Sequence, residues 1–162
     1  MKSTDGAPSR TGPAAAVSAA SAATGVLVHR LIRHPGIHEK GDDEQARLAR
    51  EWIRRHLDGS EDEEAVIQAA LAAVRRPTPR ERVLSLLGTG EPFFEVPFSI
   101  CEDGVVIRGS IDCLIRSAAQ IHVIEFKTGS SAPEHEIQRD VYVRAAQAMF
   151  PNLPVEGHLI YL

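Results

Sequence analysis

The segment that most constrains this chain is Ile121-His122-Val123-Ile124-Glu125-Phe126-Lys127, a run of β-branched and aromatic residues carrying a carboxylate and an ammonium near its end. Strand side chains alternate between faces, so Glu125 and Lys127 emerge on one side and Ile124 and Phe126 on the other. A second apolar run, Gly109-Ser110-Ile111-Asp112-Cys113-Leu114-Ile115, is interrupted by one acid, Asp112. A hairpin turning near Ala118 sets Asp112 beside Glu125. Two carboxylates at the edge of a core repel unless positive charge lies between them. The candidates for that charge are Lys127 and a divalent cation. Oxygen donors, few cysteines and no histidine pair in tight register favour magnesium or manganese over zinc. A cation so held, with a lysine to steady the attacking water or developing charge, suits phosphodiester hydrolysis.

The rest of the chain supplies the scaffold. Residues 1–23 hold eight alanines with Ser, Thr, Gly and Pro; this composition buries little and reads as a disordered tail or linker. From Thr24, the positions of Val28, Leu31 and Ile32 predict a short helix ended by His34-Pro35-Gly36. A second helix carries Ala46, Ala49, Trp52, Ile53 and Leu57, with Gly59 as its stop. Ser60 with Glu63, and Thr78-Pro79-Arg80-Glu81, have the spacing of helix caps for a third and a fourth. Strands follow over Phe93–Ile100, Val105–Ile115 and Ile121–Lys127, then a helix over Ile137–Met149 and a last strand over Val155–Leu162. The order is helices, three meandering strands, a helix and a strand.

Composition removes several alternatives. With 162 residues the chain is one ordinary domain. Its two cysteines, Cys101 and Cys113, allow neither a disulfide framework nor a four-thiolate metal site, which suits a reducing, cytoplasmic compartment. No stretch reaches the roughly 20 apolar residues of a membrane span. Lys127-Thr128-Gly129 matches one serine β-lactamase motif, but the companion S-x-x-K and S-D-N are missing. A phosphate-binding G-x-x-x-x-G-K-[ST] loop is missing too, so an ATP site is not expected.

Asp112 followed by Glu125-Phe126-Lys127 resembles the D-x(n)-(D/E)-x-K core of the PD-(D/E)XK nuclease superfamily, and the element order resembles its α-β-β-β-α-β core. Three further features resemble the RecB/AddA branch, the nuclease domains attached to superfamily 1 DNA helicases. Gly25-Val26-Leu27-Val28-His29-Arg30-Leu31 looks like that branch's G-x-x-x-H-R-x-L helix. Lys127-Thr128-Gly129 extends the lysine motif in the same way, and Gln138 with Tyr142 matches its Q-x-x-x-Y pair.

The resemblance implies an α/β, restriction-endonuclease-like fold over residues 24–162, with residues 39–90 as a helical insert. It implies that His29, Asp112, Glu125 and the main-chain carbonyl of Phe126 hold Mg2+ or Mn2+, that Lys127 is catalytic, and that Gln138 and Tyr142 contact DNA. Glu95 resembles a family acid on the first strand, with no role assigned. No iron–sulfur cluster is expected, since relatives that carry one need four cysteines. The expected function is a Mg2+-dependent deoxyribonuclease, an exonuclease, acting with a helicase in double-strand-break repair and recombination. The alternative is a catalytically inactive module of the same fold that binds DNA or a helicase.

Net charge gives little support to a nucleic-acid partner as an average, at -4. Sorted by position it is less adverse. Ten acids lie between His38 and Glu64, on what reads as the solvated face of two helices. With those and the two site acids set aside, ten acids face 13 basic residues outside that stretch. Weak, salt-sensitive DNA binding is the expectation.

Overall fold

The computed structural model describes residues 13–34, 36–56 and 62–162, with side chains from Ala22 onward. Four helices come first: α1 (Pro13–Ile32), α2 (Asp42–His56), α3 (Glu63–Arg75) and α4 (Pro77–Leu87). They are followed by β1 (Glu91–Glu102), β2 (Val105–Arg116), β3 (Ile121–Lys127), α5 (Pro133–Met149) and β4 (Val155–Tyr161). The sheet order is β1-β2-β3-β4; the first three strands are antiparallel and β4 runs parallel to β3. This is the expected mixed α/β order.

The sheet separates two cores. On one face Leu27, Val28 and Leu31 of α1 pack with Ile53 of α2, Val66, Ala70 and Leu71 of α3, and Cys113, Ile124, Phe126 and Ile160 of the sheet. On the other, Tyr142, Ala145 and Ala146 of α5 cover Ile111, Leu114, Ile121 and Val123. The helices between residues 39 and 90 thus share one core with α1 and complete the layer over the sheet. Gly157 lets α5 approach β4: a Cβ there would lie 2.5 Å from Val143 Cγ2 and 3.0 Å from Arg139 Cγ.

Several local expectations are corrected. α1 begins at Pro13 rather than Thr24, so residues 13–23 are helical. Alanine has the highest helix propensity, and Pro13 sits at the first turn, where its missing N–H costs nothing. Residues 1–12 lie outside the described residues. So do Pro35, Leu57, Gly59 and Ser60. The third helix is capped by Asp62, whose side chain accepts from the Ala65 N–H at 3.1 Å. The fourth starts at Pro77 with no side-chain cap, so Thr78 lies inside it. Proline fixes φ for the first turn there in place of a hydroxyl cap. The β2–β3 turn falls as expected, with Ser117 Oγ accepting from the N–H groups of Ala119 and Gln120.

One irregularity positions the site. The β1–β2 register passes from Phe94↔Cys113 to Val96↔Ile111 and skips Glu95 and Asp112. Phe94 and Cys113 face the α1–α4 core, whereas Val96 and Ile111, each two residues away, face the α5 core. Regular strands keep such positions on one face. Here both strands change face across Glu95 and Asp112, and Glu95 takes a left-handed φ of 52°. The two acids stand where the hairpin turns over.

Candidate active site

Asp112 lies just beyond the last β2–β3 ladder pair, Cys113↔Ile124. Its Oδ2 accepts from the Phe126 N–H at 2.9 Å, taking the place of a backbone partner. Alternation along β3 places Glu125 and Lys127 on the α5 side of the sheet, while Ile124 and Phe126 enter the opposite core. Glu125 is 1% exposed, and Lys127 Nζ lies 2.5 Å from its Oε1. The other oxygen, Oε2, is buried with no hydrogen-bond partner.

That arrangement sets the electrostatics. Burial, and then the Asp112 charge, push the Glu125 carboxyl up to about 7 against the pull of Lys127. Burial also raises Asp112, opposed by the Phe126 N–H. A buried carboxylate with one unpartnered oxygen beside a second acid is stabilised by a cation. One lysine serves a single oxygen of the pair.

α1 closes the site from the helical face. His29 Nε2 lies 3.1 Å from the Phe126 carbonyl oxygen, and Nδ1 lies 3.6 Å from Asp112 Oδ1. Burial holds this imidazole below its ordinary pKa, so near pH 7 it is neutral. Gly25, one turn earlier, keeps α1 near the loop after β3; a Cβ there would meet Thr128 Oγ1 at 3.4 Å. Arg33, four residues after His29 and therefore on its face, pairs with Glu95 at 2.9 Å.

α5 contributes a relay. Lys127 Nζ donates to Gln138 Oε1 at 2.8 Å, and Gln138 Nε2 donates to the Tyr142 hydroxyl at 2.7 Å. Tyr142 packs edge-on to Phe98, with ring centres 5.7 Å apart. Burial pushes its phenol up to about 12. The spacing of four thus sets both side chains on one face of α5 and joins them to Lys127.

All seven residues singled out from sequence therefore meet at the C-terminal end of β3: His29, Asp112, Glu125, Phe126, Lys127, Gln138 and Tyr142. Of the flank, sequence reasoning named Glu95, without a role, and Arg30, as part of the helix motif, but not Arg33, Trp52 or His56 as site residues. A cleft of about 490 Å3 beside His29 is lined by Arg30, Arg33, Trp52, His56 and Glu95 among others. Trp52 stacks on His56 with ring centres 4.6 Å apart. The i, i+4 relation of His29 and Arg33 was the available signal. Cys113 is buried and its thiol is pushed up to about 12, as suits a core residue.

His29, Asp112, Glu125 and the Phe126 carbonyl offer one imidazole nitrogen and several hard oxygens, a donor set that suits Mg2+ or Mn2+. The unpartnered Glu125 Oε2 is the observation that fits a cation there. Among the described residues, the trio of His, Cys, Asp or Glu donors lying mutually within 4.8 Å is a different one, His122, Glu156 and His158. No described helix is long and apolar enough to cross a membrane.

No curated protein matches the chain. A family model does: that of the PD-(D/E)XK nuclease superfamily, over residues 2–162. This match spans nearly the whole sequence, and the chain belongs to the PD-(D/E)XK nuclease superfamily.

Proposed function

We propose that the protein is a Mg2+- or Mn2+-dependent deoxyribonuclease of the RecB/AddA type, cleaving linear DNA from its ends beside a superfamily 1 helicase during double-strand-break repair in the cytoplasm. The observation that carries this reading is Glu125, a buried carboxylate with one unpartnered oxygen between Asp112 and Lys127. Asp112, Glu125, His29 and the Phe126 carbonyl hold the cation. When bound, such an ion polarises a phosphoryl oxygen and acidifies water.

The remaining work falls to the chain's own groups. Lys127 stands at the rim of the carboxylate pair, where its ammonium orients the attacking water and offsets charge developing on the phosphate. Gln138 fixes the Lys127 amine through its side-chain oxygen and passes the constraint to Tyr142. Gln138 and Tyr142 meet the DNA near the scissile phosphate, and Arg30 and Arg33 flank it. Asp112, anchored on the Phe126 N–H, keeps one oxygen toward His29.

The test is incubation of the full chain with linear and circular DNA, single- and double-stranded, in magnesium, in manganese and in chelator. Degradation of linear DNA in magnesium, lowered at least about 100-fold by Asp112→Ala and by Lys127→Ala, is the expected result. Activity that survives both substitutions overturns the reading. DNA binding without cleavage makes the chain an inactive module, and cutting of closed circles makes it an endonuclease.

A further inference from the structure

At the other end of β3, on the opposite face from Glu125, three further donors meet. His122 pairs in register with Glu156 of β4, and His158 lies two residues further along, pairing with Ile124. The parallel pairing and the strand alternation therefore put all three side chains on one face. His122 Nδ1 lies 3.0 Å from His158 Nε2, 3.7 Å from Glu156 Oε2, and His158 Nε2 lies 3.9 Å from Glu156 Oε1. Gln120 Nε2 donates to Glu156 Oε2 at 2.9 Å and orients the carboxylate. His158 is 8% exposed and the His122 side chain 12%, while the Glu156 side chain is 57% exposed and opens the cluster to solvent.

We infer that His122, Glu156 and His158 form a zinc-class divalent metal site that cross-links β3 to β4, separate from the carboxylate site. Zinc binds imidazole nitrogen at about 2.0–2.1 Å and carboxylate oxygen at about 2.0–2.2 Å, so tetrahedral ligand atoms stand about 3.3 Å apart. The two nitrogens stand 3.0 Å apart, each has a Glu156 oxygen at 3.7 or 3.9 Å, and one ligand atom from each residue lies within 4.8 Å of the others, a spread that rotation of the exposed carboxylate can close. Two imidazoles and one carboxylate select zinc over magnesium, which prefers oxygen ligands. Three protein ligands leave a fourth position for water on the exposed, Glu156 side. Separation is ensured by the strand itself: His122 precedes Glu125 by three residues, about 10 Å along β3. Among the described residues, Arg82 is a cation near the cluster: it donates to the Leu159 carbonyl at 3.5 Å and acts on His158.

The test uses the full, untagged chain carrying Asp112→Asn and Glu125→Gln, which disables the carboxylate site. After chelator treatment it is titrated with Zn2+ by calorimetry and with Co2+ by visible absorption. A single equivalent of zinc should bind, with tetrahedral cobalt bands, and zinc but not magnesium should raise the melting temperature. Adding Glu156→Gln, an exposed change that leaves the core intact, should weaken zinc binding at least ~10-fold, and Gln120→Ala by ~10-fold, the loss typical of a ligand's supporting contact. Adding His158→Gln should abolish it. Absence of the zinc equivalent in the double variant shows a plain histidine–histidine hydrogen bond and overturns the inference. So does zinc binding that is unchanged by Glu156→Gln and His158→Gln.

Discussion

The buried Glu125 carboxylate should make the metal-free protein lose stability as pH rises, in the direction opposite to acid denaturation. Its ordinary value of 4.5 is pushed to about 7 in the folded chain. A group that binds its proton more tightly when folded stabilises the native state most below the unfolded value, and that contribution disappears as pH rises through the folded one. The window is therefore 4.5 to about 7. At about 1.4 kcal/mol per pK unit, the difference is on the order of 3 kcal/mol between pH 4.5 and pH 8. Denaturant unfolding in chelator, compared between the wild-type chain and Glu125→Gln, isolates it, because the histidines titrate in both. The wild type should lose about 3 kcal/mol more than the variant across that range. Magnesium at about 100 times its dissociation constant returns about 2.7 kcal/mol, to the wild type alone and mainly at the upper end. Parallel pH profiles for the two chains, or equal magnesium stabilisation of both, would refute the placement of a cation against Glu125.

Other expectations are simpler to check. Gly157→Ala drives a methyl into Val143 and should cost about 1–3 kcal/mol in thermal unfolding, an ordinary overpacking penalty; no change would mean that α5 shifts freely on β4. At Glu95 the usual strand preference should invert: Glu95→Val should destabilise by about 1–2 kcal/mol because of its left-handed backbone, whereas Glu95→Gly stays within about 1 kcal/mol of wild type. Binding to DNA, measured by fluorescence anisotropy with calcium in place of magnesium, should weaken at least about tenfold between 50 and 200 mM salt. Affinity indifferent to salt contradicts a phosphate-contacting cleft lined by Arg30 and Arg33.

The paired acids and the lysine were legible because strand alternation and a short hairpin are local rules. Asp112, Glu125 and Lys127 need only a period of two and one turn to be brought together. Gln138 and Tyr142 were found through the resemblance to the Q-x-x-x-Y motif, and the helix period supplied only that they share a face. The face change at Glu95 and Asp112 was not, since nothing in Phe94-Glu95-Val96 announces a positive φ at a glutamate. The alanine-rich start was read by its low complexity when helix propensity decided it. His122 and His158 stand 36 residues apart and meet through a parallel crossover. Their spacing matches no short ligand motif, which is why the pair escaped notice.

The overturned hairpin has a further consequence for how the domain tolerates change. Glu95 and Asp112 stand outside the β1–β2 ladder, so neither is a rung between those two strands, while the Asp112 side chain ties β2 to β3 through the Phe126 N–H. Beyond them Val96, Phe98 and Ile100 ride with α5, while before them Phe94 rides with the helical layer. Asp112 thus sits where the hairpin passes between two cores packed on opposite faces of one sheet. A change of packing on either face therefore reaches Asp112 through the backbone at that crossing, from residues that never touch it.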